Sequence, residues 1–404
     1  MIASHPPSAC YATVMQPQLL QHTEASDKAL PHRLRDLARM ALVTGTFAVG
    51  GSYVVLAKLR EEMVAKKRWL TGDEFQLGLE MSQSLPGTAA TNFFTYVAWL
   101  RGGPLRAALI AATFVLPSAL LMVVLALLYP SMRNLGPVAA LLDGMGVAAV
   151  AVVAKAARTL ARPVLTTPLE LGIAFVGFAL LVLGLFTPIL LIAAFGVLAM
   201  IIARVPIPLR ASAFAFPMHA VRAMSFPVLA LGTLGLLALG FAHVSFSTFG
   251  GGYAMIAALQ HLCVVSNHWL GSREFTDAIT FGQITPGPVA ITATYVGFRA
   301  AGLVGAIVAT VGMFLPPFLL TGAATAGLAH VKERPWFVAL RKGITLAVIA
   351  VLLQAIFVLA RSAIITPEDI ILCAVAMVLA MATRLESMPI FLAIGGMRLL
   401  LTAF

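Results

Sequence analysis

Charge is what this chain has least of. Only 11% of its 404 residues are Asp, Glu, Lys or Arg, against about 25% in ordinary soluble domains. Hydrophobic residues make up 60%, and the mean hydropathy is +0.96, a surplus that no water-soluble fold of this length has the interior to hide. Cysteine is scarce too. Cys10, Cys263 and Cys373 show no CxxC spacing, which excludes a disulfide framework and a cysteine-based zinc site. His261 and His268 stand seven residues apart with no third ligand, so no metal is expected. Nucleophile elbow, Gly-Lys phosphate loop and paired His-Glu helix are all missing, so the sequence implies no cofactor, no ATP-driven pumping by the chain itself and no enzyme.

What is present is a series of apolar runs, each long enough to cross a hydrocarbon core of about 30 Å. The chain therefore reads as all-α and polytopic, with the lipid bilayer as its solvent. The net charge of +11 does not point to nucleic acid, because the Lys and Arg residues sit in short loops between the runs, where they set membrane orientation. Residues 1–32 are polar and mixed and lack the apolar core of a cleavable signal. They are expected to form a disordered N-terminal tail.

The chain aligns with itself at an offset of 200, without a gap, from Gly50 through Pro117. Gly50, Gly51 and Tyr53 match Gly250, Gly251 and Tyr253. Trp69, Glu74 and Phe75 match Trp269, Glu274 and Phe275, and Gln83, Pro86 and Gly87 match Gln283, Pro286 and Gly287. Chance likeness between membrane helices would preserve Leu and Val; this register preserves Gly, Pro, Gln and Trp, which argues for duplication. The resulting division is a first repeat over 33–204, a cytoplasmic connector over 205–225 and a second repeat over 226–404. Apolar helices are expected near 37–59, 105–128, 138–160, 169–183 and 188–203, and again near 227–262, 303–328, 337–360, 370–381 and 389–401.

Between the first and second helix of each half, 75–100 and 275–300 are broken at their middles by Pro-Gly. Each arm is about a dozen residues, too short to span, so each stretch is expected to be a re-entrant pair of half-helices. Two thin, tilted crossings are the alternative. Basic residues alternate between the halves: Lys58, Arg60, Lys66, Lys67 and Arg68 face Arg273 alone, Arg133 faces Lys332, Arg334, Arg341 and Lys342, and Lys155, Arg158 and Arg162 face Arg361. Such alternation is the signature of an inverted repeat with about ten crossings. Lys28, Arg33, Arg35 and Arg39, before the first helix, run against it.

The most specific segments are TFGGGYAMI from Thr248 and GQITPGPVAITATYVGF from Gly282, with weaker copies VGGSYVVL from Val49 and SQSLPGTAATNFF from Ser82. Together they resemble the chromate ion transporter family in its two-domain form, where a Phe-Gly-Gly motif precedes Gln-x-x-Pro-Gly-Pro. The first half departs from that pattern, with Thr88 in place of the second Pro and Ser52 and Tyr53 after the Gly pair. The resemblance implies a secondary transporter of the bacterial cytoplasmic membrane that exports chromate and also accepts sulfate.

Elementary electrostatics singles out the same places. A Pro-Gly break frees backbone N–H groups at the start of a half-helix, and these bind oxyanions. The expected substrate-binding residues are Gln83, Pro86, Gly87 and Thr88 with Gly50, Gly51 and Tyr53, and Gln283, Pro286, Gly287 and Pro288 with Gly250, Gly251, Gly252 and Tyr253. Thr91, Asn92, Thr292 and Thr294 offer further neutral donors. Close helix packing explains the Gly runs equally well, and an interfacial belt the tyrosines. Glu80, one turn before Gln83, is the expected site of proton coupling. The other charges inside apolar stretches, Lys58, Arg101, Asp143, Lys155, Arg158, Arg299 and Arg361, read as snorkelling ends. An uptake carrier or channel for a sulfate-like oxyanion is the alternative function, an intramembrane enzyme a weaker one, and the chain is compatible with a homodimer.

Overall fold

The structure is a computed structural model that describes residues 30–47, 52–203, 232–249, 252–327, 334–383, 385 and 387–403. The connector at 205–225 and nearly all of the tail at 1–32 lie outside the described residues. Helices account for the ordered elements, with no strand among the described residues. In chain order they are α1 (Leu30–Phe47), α2 (Ser52–Arg60, continued as a π-helix over Glu61–Lys66), α3 (Gly72–Ser84), α4 (Ala89–Asn134), α5 (Gly136–Ala161), α6 (Pro168–Val182) and α7 (Pro188–Ile202). The second half gives α8 (Thr233–Ser245), α9 (Met255–Gln260, continued as a π-helix over His261–Ser266), α10 (Ser272–Ile284), a 3-10 turn (Val289–Ile291), α11 (Thr292–Gly327), α12 (Pro335–Ala363), α13 (Pro367–Ala382) and α14 (Ser387–Ala403). The offset of 200 holds to the residue for α3 and α10 and for both π-helices.

Local chemistry sets several starts. Thr71 and Glu74 close a capping box at α3, as do Thr167 and Glu170 at α6 and Thr366 and Asp369 at α13, the last two with Pro in the first turn. One expectation is corrected here. The run at 227–262 is not one helix, because α8 ends at Ser245, Phe246 to Phe249 are non-helical and α9 begins at Met255. In the run at 37–59 the stretch between α1 and α2, 48–51, lies outside the described residues.

α4 is two helices merged at a bend. Its first arm packs back along α3, and the chain turns at Gly103, where φ is +74°. The second arm, 104–134, is roughly 45 Å long at 1.5 Å per residue, more than a bilayer core requires. α11 repeats the design, turning at Gly302. Among the described residues, four helices are long and apolar enough to cross a membrane: Ala89–Asn134, Gly136–Ala161, Val289–Thr325 and Pro335–Ala363. Along α4, Leu105, Leu109, Leu116, Leu120 and Leu127 form an exposed apolar stripe, matched on α11 by Leu303, Ile307, Val311, Leu315 and Leu319, faces that belong against lipid.

The halves interlock. α5 and α12 pack on each other at the centre, α13 and α14 of the second half lie on α5, and α6 and α7 of the first half lie on α12. Small residues permit these crossings. A Cβ on Gly144 of α5 would sit 2.7 Å from the carbonyl oxygen of Ile394 on α14, and one on Gly343 of α12 would collide with the carbonyl of Phe195 on α7.

Candidate functional site

Each hairpin breaks for a local reason. A proline pushes the residue before it into extended backbone: Leu85 before Pro86 has ψ 152° and Thr285 before Pro286 has ψ 132°. The next residue must then reverse the chain with positive φ, +105° at Gly87 and +107° at Gly287, where any other side chain is strained. Asn92, buried one turn into α4, donates its amide to the carbonyls of Pro86 at 2.9 Å and Ser82 at 3.4 Å, pinning the first break. Arg101 and Arg299 do not simply reach for solvent. They close the far ends of the hairpins, Arg101 on the carbonyl of Trp69 at 2.9 Å and Arg299 on Glu274 at 2.5 Å.

The two breaks meet in the middle of the molecule. Gly87 donates its backbone N–H to Thr248 at 2.7 Å, beside the Phe-Gly-Gly segment of the other half. The Ser118 hydroxyl, on the long arm of α4, donates to the carbonyl of Pro286 at 2.6 Å and lies 3.4 Å from that of Gly45. Gly252 sits between the breaks: a Cβ there would lie 3.4 Å from Cγ2 of Thr88, 3.5 Å from Cβ of Val289 and 3.9 Å from the amide nitrogen of Ala290. Thr88 caps α4 and Val289 opens the second arm, so the N-termini of both half-helices face the same glycine.

The side chains near the breaks divide into spent and unspent. Thr88 and Thr91 share one hydrogen bond of 2.7 Å between their hydroxyls, which leaves one O–H of the pair to give. Asn92 is committed as described, Thr292 donates to Val289 at 2.9 Å, and Thr294 pairs with Thr310 at 2.7 Å. Gln283 is 6% exposed, and both ends of its amide lack a hydrogen-bond partner. Since buried polar groups are normally satisfied, this unpartnered amide is a candidate ligand contact. Its counterpart Gln83 is exposed and lines a cavity of about 60 Å³ with Ser84, Phe249, Arg341 and Thr345. Pro288 is buried and Tyr253 half-buried. Gly50, Gly51, Gly250 and Gly251 lie outside the described residues, and of Tyr53 only its place in α2 is described. Glu80 is half-buried and accepts from Gln76 at 3.1 Å, a turn away from the first break.

A cluster that sequence reading passed over lies at the other end of α10. Asp277 is 1% exposed and accepts from Tyr129 and Arg133, and Arg133 also donates to Asp143. Asp143 is thus a network member and not a snorkelling end. The available signal was an acid inside the otherwise uncharged segment from Phe275 to Phe281.

The family model described as "Chromate transporter" matches residues 35–200 and again 235–400, once for each half. The chain is 30% identical over 372 residues to the chromate transport protein of Cupriavidus metallidurans, covering 90% of this chain and 91% of that protein. It is 30% identical over 336 residues to a probable chromate transport protein of Synechococcus elongatus, covering 82% and 85%. With the chromate transport protein of Pseudomonas aeruginosa it shares 28% over 319 residues, 73% and 74% of the two chains. No solved structure matches the chain. The double match to one family model, together with relatives 30% identical over most of the chain, places this chain in the chromate transporter family.

Proposed function

We propose that the protein is a secondary transporter that exports chromate across the cytoplasmic membrane of a bacterium, with sulfate as a competing substrate. The observation that carries this reading is the meeting of Thr88 with Val289 and Ala290 across Gly252. Two half-helix N-termini aimed at one point make an anion site without fixed positive charge. Each terminus contributes about 1–2 kcal/mol to a partly buried anion, and the open amide of Gln283 adds a donor. Neutral donors hold a dianion loosely enough to release it, which a transporter requires and a storage site does not.

In this reading the hairpins α3–α4 and α10–α11 are re-entrant, α1–α2 and α8–α9 form the first crossing of each half, and the chain makes about ten crossings as an inverted repeat. The basic-residue pattern then puts Arg341 and the cavity at Gln83 on the cytoplasmic side, and Arg273 with Asp277 outside. Export is the downhill direction for a dianion in a cell with a negative interior, since each charge gains about 2.3 kcal/mol per 100 mV. The test is uptake of labelled chromate into inside-out vesicles at an imposed potential. Accumulation above that of empty membranes, suppressed by excess sulfate, is expected; flux no greater than the empty membranes refutes transport, and flux indifferent to potential refutes electrical export.

A further inference from the structure

Asp277 is a buried carboxylate with three donors on one oxygen: the Tyr129 hydroxyl at 2.7 Å and Arg133 through Nε at 2.9 Å and Nη2 at 2.5 Å. Arg133 is divided, because its Nη1 donates to Asp143 at 2.7 Å. Asp143 is held in turn by Arg273, whose Nε lies at 3.1 Å. Beside them opens a cavity of about 160 Å³, several times the share of about 30 Å³ that one water takes in the liquid. Arg398 and Asp369 complete its charged wall, and Thr276 and Ser362, hydrogen-bonded to each other at 2.7 Å, face it with hydroxyls. Nε of Arg398 and Oδ1 of Asp369 are buried and face each other as an ion pair at 3.5 Å, too long for a hydrogen bond, and Arg398 is also drawn to Glu368. Three guanidinium groups face three carboxylates there, and the cavity is formally neutral. The buried acid of α10 has no equivalent in α3: at the position related by the repeat, Leu77 stands for Asp277.

We infer that this cavity is a second oxyanion station, at which Asp277 takes up a proton when the anion binds. The inference rests on the proposed transport of an oxyanion. A guanidinium fork fits an oxyanion as well as a carboxylate, so an arriving dianion competes with Asp277 for Arg133. Drawn to the anion, Arg133 leaves a buried carboxylate with only the Tyr129 hydroxyl, and burial strongly disfavours that charge without its counter-ion. Oδ2 of Asp277 then forms an O–H bond with a proton drawn from the buffered solution outside, so that no hydroxide is left in the cavity. When the anion leaves, the proton returns to water and Arg133 to Asp277. The charges around Asp277 come from every helix packed here: Arg133 from α4, Asp143 from α5, Arg273 from α10 itself, Asp369 from α13 and Arg398 from α14, with Arg299 of α11 behind the Tyr129 ring at 6.0 Å. Glu80 lies in the other hairpin, on α3.

The test is calorimetric titration of the purified full chain with chromate, at mildly alkaline pH where the free ion is a dianion, in buffers of different ionisation heat. The wild type is expected to take up a proton with the bound anion. D277N should bind chromate with proton uptake reduced at least fivefold. Y129F removes one stabilising hydrogen bond from the charged carboxylate, so its proton uptake should persist to higher pH than in the wild type. Binding without proton uptake in the wild type, undiminished uptake in D277N, or a Y129F profile identical to wild type each overturn the inference and leave the transport reading intact. A wild-type protein that binds no oxyanion at all sinks both.

Discussion

The backbone amide of Gly87 donates to the carbonyl of Thr248 at 2.7 Å, tying the Pro-Gly break of one half to the Phe-Gly-Gly segment of the other. The contact is made by main-chain atoms alone, so its geometry depends on how closely the two backbones approach. Proline and glycine supply that approach: Pro86 ends one helix, and Gly87 reverses the chain where a Cβ would lie 2.6 Å from Cβ of Pro317. The anion site of the proposed mechanism is built on this approach.

Gly87→Ala and Gly287→Ala combine positive-φ strain of about 1–2 kcal/mol with overpacking of about 1–3 kcal/mol, against Pro317 and Ser118 respectively. Both should lower thermal stability in detergent and reduce chromate flux at least tenfold. Gly136→Ala has open space and ordinary φ, and should shift stability by no more than about 0.5 kcal/mol. Wild-type flux in Gly87→Ala would show that the break tolerates a side chain and is not the site.

Gln283→Met separates binding from folding. The amide is buried and unpartnered, an arrangement that costs about 1–3 kcal/mol, so an apolar side chain of similar length should leave stability equal or raise it. Chromate flux should fall at least tenfold. A stable variant with full flux would remove Gln283 from the site.

Removing one partner from a buried ion pair strands the other. Arg133→Ala leaves Asp277 buried and uncompensated, and is expected to destabilise the protein by about 3–5 kcal/mol. Arg133→Met combined with Asp277→Leu should recover most of that loss, giving a coupling energy well above 1 kcal/mol in a double-mutant cycle. Additive losses, measured by thermal unfolding in detergent, would mean that the two residues act independently.

Single cysteines test the orientation of the repeat. In a background with Cys10, Cys263 and Cys373 replaced by Ser, Arg341→Cys should react with an impermeant maleimide only from the cytoplasmic side and Arg273→Cys only from outside. Labelling of both from the same side would exclude the crossing assigned to the long arm of α11, and the reverse pattern would exclude the orientation that inversion requires of the second repeat.

The helix breaks were legible because they rest on neighbours in sequence: Pro86 forces Leu85 to be extended, and the same dipeptide recurs 200 residues on. The interruption between α8 and α9 was obscured because mean hydropathy measures how apolar a run is and not where its backbone leaves the helix. Asp277 carried a local signal as an acid in an apolar helix, yet its partners Tyr129 and Arg133 sit far away in the chain, and Arg133 alone looked like a loop charge. Gln83 and Gln283 looked equivalent. One is exposed at a cavity and the other buried without a partner, a difference set by the helices around them and invisible in two matching letters.

By itself the sequence determined the membrane setting, the duplication and the places where helices must stop, since composition, self-similarity and Pro-Gly chemistry act along the chain. Only the tertiary structure decided that α6 and α7 lie on α12 while α13 and α14 lie on α5, that both Pro-Gly breaks face Gly252, and that Arg133 is shared by Asp143 and Asp277. Those outcomes depend on which backbones approach closely in space, through small residues at crossings and main-chain hydrogen bonds between distant segments. No periodicity along the chain encodes such choices.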